Sequence, residues 1–230
     1  MNLLQFSGGL DSLACLILLH DTAGLNVLTV STDGAYPERA AYLERVRAAY
    51  PQPRYHDVHT HRNLAAFGYP VDVVPVSRTA LGAFTRGRSV ADYQDPFTCC
   101  GRSIWKPMET LSRALGATTI IRGQRRDDAQ RNPLIGDGSV IDGITYRLPI
   151  ENWTRDRVRN FVEDNAPDLL PSYYLQGERT SRDCMDCTAY LADNHERLNN
   201  LPQPMHDRVR RVLNQWHLDV RAEMREPRWT

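Results

Sequence analysis

The stretch Leu3-Leu4-Gln5-Phe6-Ser7-Gly8-Gly9-Leu10-Asp11-Ser12 governs how this chain is read. An apolar strand ends at Phe6, Ser-Gly-Gly turns the chain, and a helix follows from about Asp11. Successive backbone N–H groups and a helix N-terminus are thereby gathered around one point, an arrangement that suits an anion. The two glycines allow backbone angles and a close approach that a Cβ would forbid, and the Ser7 and Ser12 hydroxyls can donate to phosphate oxygens. Asp11 suits a helix cap or a magnesium ligand. A lone Gly-Gly would read as a plain turn. The whole string, placed after the first strand of an alternating pattern, reads as a phosphate site.

Outward from the loop, short apolar runs alternate with helical patterns. Residues 2–6, 26–32 and 54–60 read as strands, 11–20 and 37–50 as helices, the rhythm of parallel βαβ units. Val71-Asp72-Val73-Val74-Pro75-Val76-Ser77 reads as a further strand that Pro75 confines to an edge, and 78–98 is polar. A helix is expected over 102–116, a buried strand over 118–124, and a hairpin over 139–150 turning near Asp142-Gly143. Helices are expected at 154–165, 188–199 and 205–226, with an irregular stretch at 167–187. The fold class predicted is α/β, a twisted parallel sheet between helices, with residues 1–165 as the nucleotide-binding domain. Residues 166–230 are expected to form a mostly helical extension of the same compact unit.

The 230 residues carry 28 basic and 28 acidic side chains, so no global field draws the chain to nucleic acid or membrane. No run approaches eighteen apolar residues, and the N-terminal residues lack signal-peptide character, which predicts a cytosolic protein without a membrane partner. Lys106 is the single lysine. Arginine abundance is therefore a chain-wide habit and carries little weight by itself. The helix 205–226 holds Arg208, Arg210, Arg211, Arg221 and Arg225, diluted by Asp207, Asp219 and Glu223, and reads as a solvated face packed through Val209, Val212, Leu213 and Trp216. His56, His59 and His61 read as exposed residues of a strand and loop, and Tyr173-Tyr174 as packing.

The Ser7–Ser12 string resembles the PP-loop of the ATP-pyrophosphatase superfamily, whose members share a Rossmann-like, adenine nucleotide α-hydrolase-like fold. Ser31-Thr32-Asp33-Gly34-Ala35-Tyr36-Pro37-Glu38 resembles the second-strand segment of phosphoadenosine phosphosulfate (PAPS) reductase-type proteins. Gly123-Gln124-Arg125-Arg126-Asp127-Asp128 is similar to their Gly-x-Arg-Arg-acidic motif, and Tyr146 to Trp153 to their Leu-Pro-Ile-x-x-Trp segment. The resemblance implies an adenine-nucleotide ligand held by Ser7, Gly8, Gly9, Leu10, Asp11, Ser12, Thr32, Asp33, Gly34 and Gly123. It implies catalytic roles for Asp11, Arg125 and Arg126. Taken alone, Arg125 and Arg126 beside Asp127 and Asp128 read as an ion-paired surface loop.

Cys99-Cys100 and Cys184-x-x-Cys187 supply four thiols in two local pairs, enough for a metal or cluster. Adjacent cysteines suit a [4Fe–4S] cubane better than tetrahedral zinc; the alternatives are reduced thiols or a Cys184–Cys187 redox pair. Cys15 reads as core filling. The four-thiol pattern resembles the iron–sulfur branch of the same family, the adenylylsulfate (APS) reductases, with Pro107-Met108 and Cys187-Thr188 matching its neighbours. Where that branch carries a basic pair, this chain has Ser103 and Ile104, with Arg102 and Lys106 nearby.

Sulfonucleotide reductases attack with a thiolate near the C-terminus, whereas no cysteine follows Cys187 here, and they tend to lose the intact phosphate loop. The expectation is an ATP pyrophosphatase: ATP with Mg²⁺, adenylylation of a small-molecule or nucleic-acid acceptor, release of pyrophosphate, and sulfur transfer with the cluster beside the nucleotide. The alternatives are an APS or PAPS reductase that borrows an external thiol reductant, and a nucleotide-binding module without chemistry. A sulfur donor and a homo-oligomer are left open.

Overall fold

A computed structural model describes residues 1–87, 90–128, 135–171 and 184–224. The Tyr173-Tyr174 pair, Arg225, the tail after it and most of the 167–187 stretch lie outside these residues.

The chain begins β1 (Asn2–Gln5), α1 (Leu10–Leu19), β2 (Leu25–Thr32), α2 (Glu38–Ala49) and β3 (Arg54–Thr60). It continues through α3 (Leu64–Phe67), β4 (Tyr69–Pro70), α4 (Ala80–Thr85), β5 (Tyr93–Gln94) and α5 (Pro96–Cys100). Then come α6 (Lys106–Ala114), β6 (Thr119–Arg122), β7 (Val140–Ile141), β8 (Ile144–Arg147) and α7 (Arg155–Asn165). The last described helices are α8 (Leu191–Asn199) and α9 (Gln203–Glu223).

Contacts divide the described residues into two units interleaved along the chain. The first comprises Met1–Ser31, Ala35–Thr60 and the described part of 104–183; the second comprises Thr32–Gly34 and the described parts of 61–103 and 184–230. These units cut the chain differently from a division after residue 165.

The first unit is built on a six-stranded sheet ordered β3-β2-β1-β6-β8-β7. β1 lies parallel to β2 and β6, β8 is parallel to β6, and β7 pairs antiparallel with β8. Alternation along β1 decides the two faces. Leu4 and Phe6 enter a core with Leu13, Leu16 and Cys15 of α1 and Val158 and Val162 of α7. Leu3 enters the opposite core with Ile120, Tyr146 and Met108 of α6. Cys15 is fully buried, the core filler its apolar setting implied. The expected hairpin is present: Asp142 (φ 49°) and Gly143 (φ 76°) take the paired left-handed angles of a two-residue turn that matches strand twist. The α/β class is therefore as expected.

In the second unit β4 and β5 form a short parallel pair. The expected strand over 71–77 is not formed. Val71 N–H still donates to the Gln94 carbonyl, but the prolines at 70 and 75 remove ladder donors, Trp216 Nε1 takes the Val73 carbonyl (2.7 Å), and Val76–Arg78 close a 3₁₀ turn. The helix over 102–116 is also divided, with a π-helical turn at Gly101–Trp105 before α6. Asp219 corrects the reading of the last helix. Instead of lying on its solvated face, it is 7% exposed and accepts from Arg78 (2.6 Å) and Tyr93 Oη (3.0 Å).

Candidate functional site

In the first unit the loop after β1 is shaped by its own residues. Gly8 sits at φ 80°, where a side chain is strained, and a Cβ there would meet Arg39 Nη1 at 3.3 Å. Gly9 N–H donates to Ser7 Oγ (3.3 Å), Ser12 Oγ donates to the Gly9 carbonyl (2.9 Å), and the two serine hydroxyls lie 3.2 Å apart. The helix N-cap is Gly9, which supplies no side-chain cap, and Asp11 lies within the first turn. The capping role considered for Asp11 is thus corrected. Its carboxylate instead complements the helix dipole and accepts from Arg125 Nε at 2.7 Å.

The two adjacent arginines part company. Arg125 is buried and bridges Asp11 and Asp127, whereas Arg126 is 68% exposed and its Nη2 stands 3.4 Å from a Glu151 oxygen. Gly123 makes this geometry possible, because a Cβ there would lie 2.5 Å from the Asp11 carbonyl and 2.6 Å from Ser12 N. The end of β6 therefore abuts the first turn of α1, and Ser7–Ser12, Gly123 and Arg125 are brought together.

Arg39 was missed by the sequence reading. Its guanidinium donates to the Ser7 carbonyl (2.8 Å), Ser31 Oγ (3.2 Å) and the Val30 carbonyl (3.3 Å), tying the loop to the end of β2. The only local hint is its place directly after Pro37-Glu38 in the motif.

Thr32, Asp33 and Gly34 fall in the second unit, against the Cys184-x-x-Cys187 turn. Thr32 Oγ1 lies 3.2 Å from Cys184 Sγ, and Met185 N–H donates to the Gly34 carbonyl (2.7 Å). Arg62, 5% exposed, donates to Asp33 (2.8 Å) and to buried Asp186 (2.6 Å), whose other oxygen accepts from Arg208 (2.7 Å). Burial raises the Asp33 pKa, but the Arg62 hydrogen bonds and charge, with a smaller contribution from His61, outweigh it and hold the carboxyl below its ordinary value. Arg197 donates to the Cys184 carbonyl (2.6 Å) and the Cys187 carbonyl (3.3 Å), so two buried arginines brace this turn.

All four candidate ligand cysteines belong to this second unit. Burial, then the charge of Cys187, pushes the Cys99 thiol up to about 11 against the pull of Arg62, and burial raises Cys187 too. Among the described residues no three His, Cys, Asp or Glu side chains converge as metal ligands. The donor chemistry suits a thiolate-held centre, while among the described residues the thiols do not form a preformed ligand cage.

No family model matches the chain. Over 68 residues it is 31% identical to phosphoadenosine 5'-phosphosulfate reductase of Buchnera aphidicola subsp. Acyrthosiphon pisum (strain Tuc7), and 29% identical to that of strain 5A. These matches span 30% of this chain and 28% of the length of each relative. The crystal structure of phosphoadenylyl-sulfate (PAPS) reductase from Candida auris, a phosphate complex, superposes with a TM-score of 0.51 at 19% identity. It covers 79% of this chain and 80% of its own. The chain therefore has the fold of this PAPS reductase, an adenine nucleotide α-hydrolase-like arrangement of a mostly parallel sheet flanked by helices.

Proposed function

We propose that the first unit binds ATP with Mg²⁺ through Ser7–Ser12 and adenylylates an acceptor, releasing pyrophosphate. The observation that carries the reading is the intact loop, closed by Gly8 and uncapped by any side chain at Gly9, with buried Arg125 held against its first helical turn. Backbone N–H groups at such a terminus solvate phosphate oxygens with little reorganisation. An acceptor oxygen attacks the α-phosphorus, the bond from that phosphorus to the bridging oxygen breaks, and pyrophosphate leaves with the electron pair. Ser7 and Ser12 orient the phosphates, and Arg125, in exchange between Asp11 and the nucleotide, neutralises charge as it develops. Asp11 is the carboxylate that would hold Mg²⁺, which supplies further neutralisation of the phosphates. Arg126, exposed beside the same strand end, would meet the outer part of the ligand.

Cys99, Cys100, Cys184 and Cys187 would hold a [4Fe–4S] cluster, with zinc the less favoured occupant, and the cluster would supply sulfur-transfer chemistry. A second reading is an APS or PAPS reductase working with an external thiol; the 68-residue match to PAPS reductases supports its PAPS form. The two separate by product. Incubation with ATP and candidate acceptors should yield pyrophosphate, abolished in Asp11→Ala with the fold intact. Sulfite from APS or PAPS with a thiol, and no pyrophosphate, would support the reductase instead.

A further inference from the structure

Arg39 lies in the first turn of α2, where the helix dipole opposes a cation, so α2 itself gains nothing from the charge. The guanidinium serves other segments. It donates from Nη1 to the Ser7 carbonyl (2.8 Å), from Nε to Ser31 Oγ (3.2 Å) and from Nη2 to the Val30 carbonyl (3.3 Å). The side chain is half-buried, and acceptors on two separate segments hold its planar fork in one orientation.

The bond to Ser7 dictates which way the next N–H faces. No peptide bond among the described residues is cis, and across a trans peptide the C=O and N–H point in opposite directions. With the Ser7 carbonyl turned to Arg39, the Gly8 N–H is turned away from it. Gly8 is buried, and a Cβ on it would meet Arg39 Nη1 at 3.3 Å and Tyr42 Cε1 at 3.4 Å, so α2 forms the floor under this residue. Its N–H nevertheless has no acceptor among the described residues. A buried backbone donor left unanswered is rare in folded proteins and calls for a partner from outside the chain. A cationic donor on the carbonyl also draws electron density through the amide, which makes the N–H on the far side a stronger donor.

We infer that Arg39 is a positioning residue of the phosphate loop. It presents the Gly8 N–H to a phosphate oxygen and strengthens that donor from behind, while its own guanidinium stays on the opposite side of the peptide, out of contact with the ligand. The inference rests on the reading of the first unit as a nucleotide site. It adds to the bracing of the loop a measurable part in phosphate affinity.

Ser-Gly occurs once in the chain, at Ser7-Gly8, so carbonyl-¹³C serine combined with ¹⁵N glycine in cell-free synthesis marks that single amide for NMR. Wild type, Arg39→Met and Arg39→Lys are titrated with magnesium pyrophosphate and with ATP, following the Gly8 amide proton and, by calorimetry, the affinity. In wild type the proton should move downfield as pyrophosphate binds. Arg39→Met should lower both affinities by about 10- to 100-fold and shrink the shift reached at saturation, and Arg39→Lys, which keeps a charged donor, should recover part of each. A merely structural arginine would lower the melting temperature and leave the saturated shift intact. A folded Arg39→Met protein with wild-type affinity and shift, or Arg39→Lys no better than Arg39→Met, overturns the inference alone. A wild-type protein that binds neither pyrophosphate nor ATP overturns the nucleotide reading, and this inference with it. Should Arg39→Met fail to fold, Arg39→Gln replaces it: the charged lysine variant must then bind pyrophosphate more tightly than the neutral glutamine one, and equal affinities overturn the inference.

Discussion

Replacing Gly123 with alanine puts a methyl carbon 2.5 Å from the Asp11 carbonyl carbon and oxygen and 2.6 Å from Ser12 N. Ordinary contact begins near 3.5 Å, so β6 and the first turn of α1 must separate by about 1 Å. Neither side yields easily. The atoms met are backbone, Leu13 N–H is bonded to the Gly9 carbonyl at 3.0 Å, and Leu13, Leu16 and Ile120 are wholly buried on either side. Forced overpacking of this kind costs about 1–3 kcal/mol, which in a chain of this length lowers the melting temperature by roughly 3–10 °C. The same displacement moves the N–H groups of the phosphate loop relative to Arg125, so ATP affinity should fall by about tenfold or more. Gly136→Ala is the control: its Cβ meets only Ser139 Oγ at 3.6 Å, and its stability should stay within about 0.5 kcal/mol of wild type. Thermal unfolding followed by circular dichroism and ATP titration read both effects. Gly123→Ala melting and binding like wild type would refute the contact between β6 and the phosphate loop on which the site is built.

Arg125→Met should lower ATP affinity by about 10- to 100-fold in the same titration, because a charged donor is lost from the loop. Arg62→Met removes one partner of Asp186, which is 3% exposed, and should destabilise the second unit by about 3 kcal/mol in urea unfolding, with Arg208 keeping the loss from being larger. Asp33 has a folded pKa below its unfolded one, so its contribution is present above the ordinary carboxylate range and is lost as pH falls through the folded value. The stability gap between wild type and Asp33→Asn should hold from pH 7 to 5 and close below about pH 4; a gap that widens on acidification would contradict the sign. Burial, then Asp11, raises the Cys15 thiol far above the usual thiol range, so iodoacetamide at pH 8 should label it only after unfolding, read by mass spectrometry.

Much of the first unit was legible because its signals are local. The apolar runs of β1, β2 and β6, the glycines of the loop and Asp142-Gly143 each declare a conformation within a few residues. What escaped the sequence depends on partners far along the chain. Asp219 looked like a surface acid until Arg78 and Tyr93, more than a hundred residues earlier, enclosed it. Arg62 and Asp186 became a buried pair across 124 positions. The run Val71 to Ser77 failed for the opposite reason. Its composition is that of a strand, but Trp216 and the prolines remove the hydrogen bonds a strand needs. The cysteine pairs were visible as pairs, and their membership in one unit with Thr32 and Asp33 came only from the fold.

Titration of ATP with Mg²⁺ into the wild-type chain and into Gly8→Val tests the central claim most directly, since Gly8 closes the loop at an angle valine resists and with Arg39 already against it. A phosphate site at Ser7–Ser12 requires binding in the range of about 1 μM to 1 mM for wild type, usual for enzyme substrates, and a loss of at least about tenfold in a folded Gly8→Val protein. Equal binding by the two proteins, or none by wild type, would contradict it.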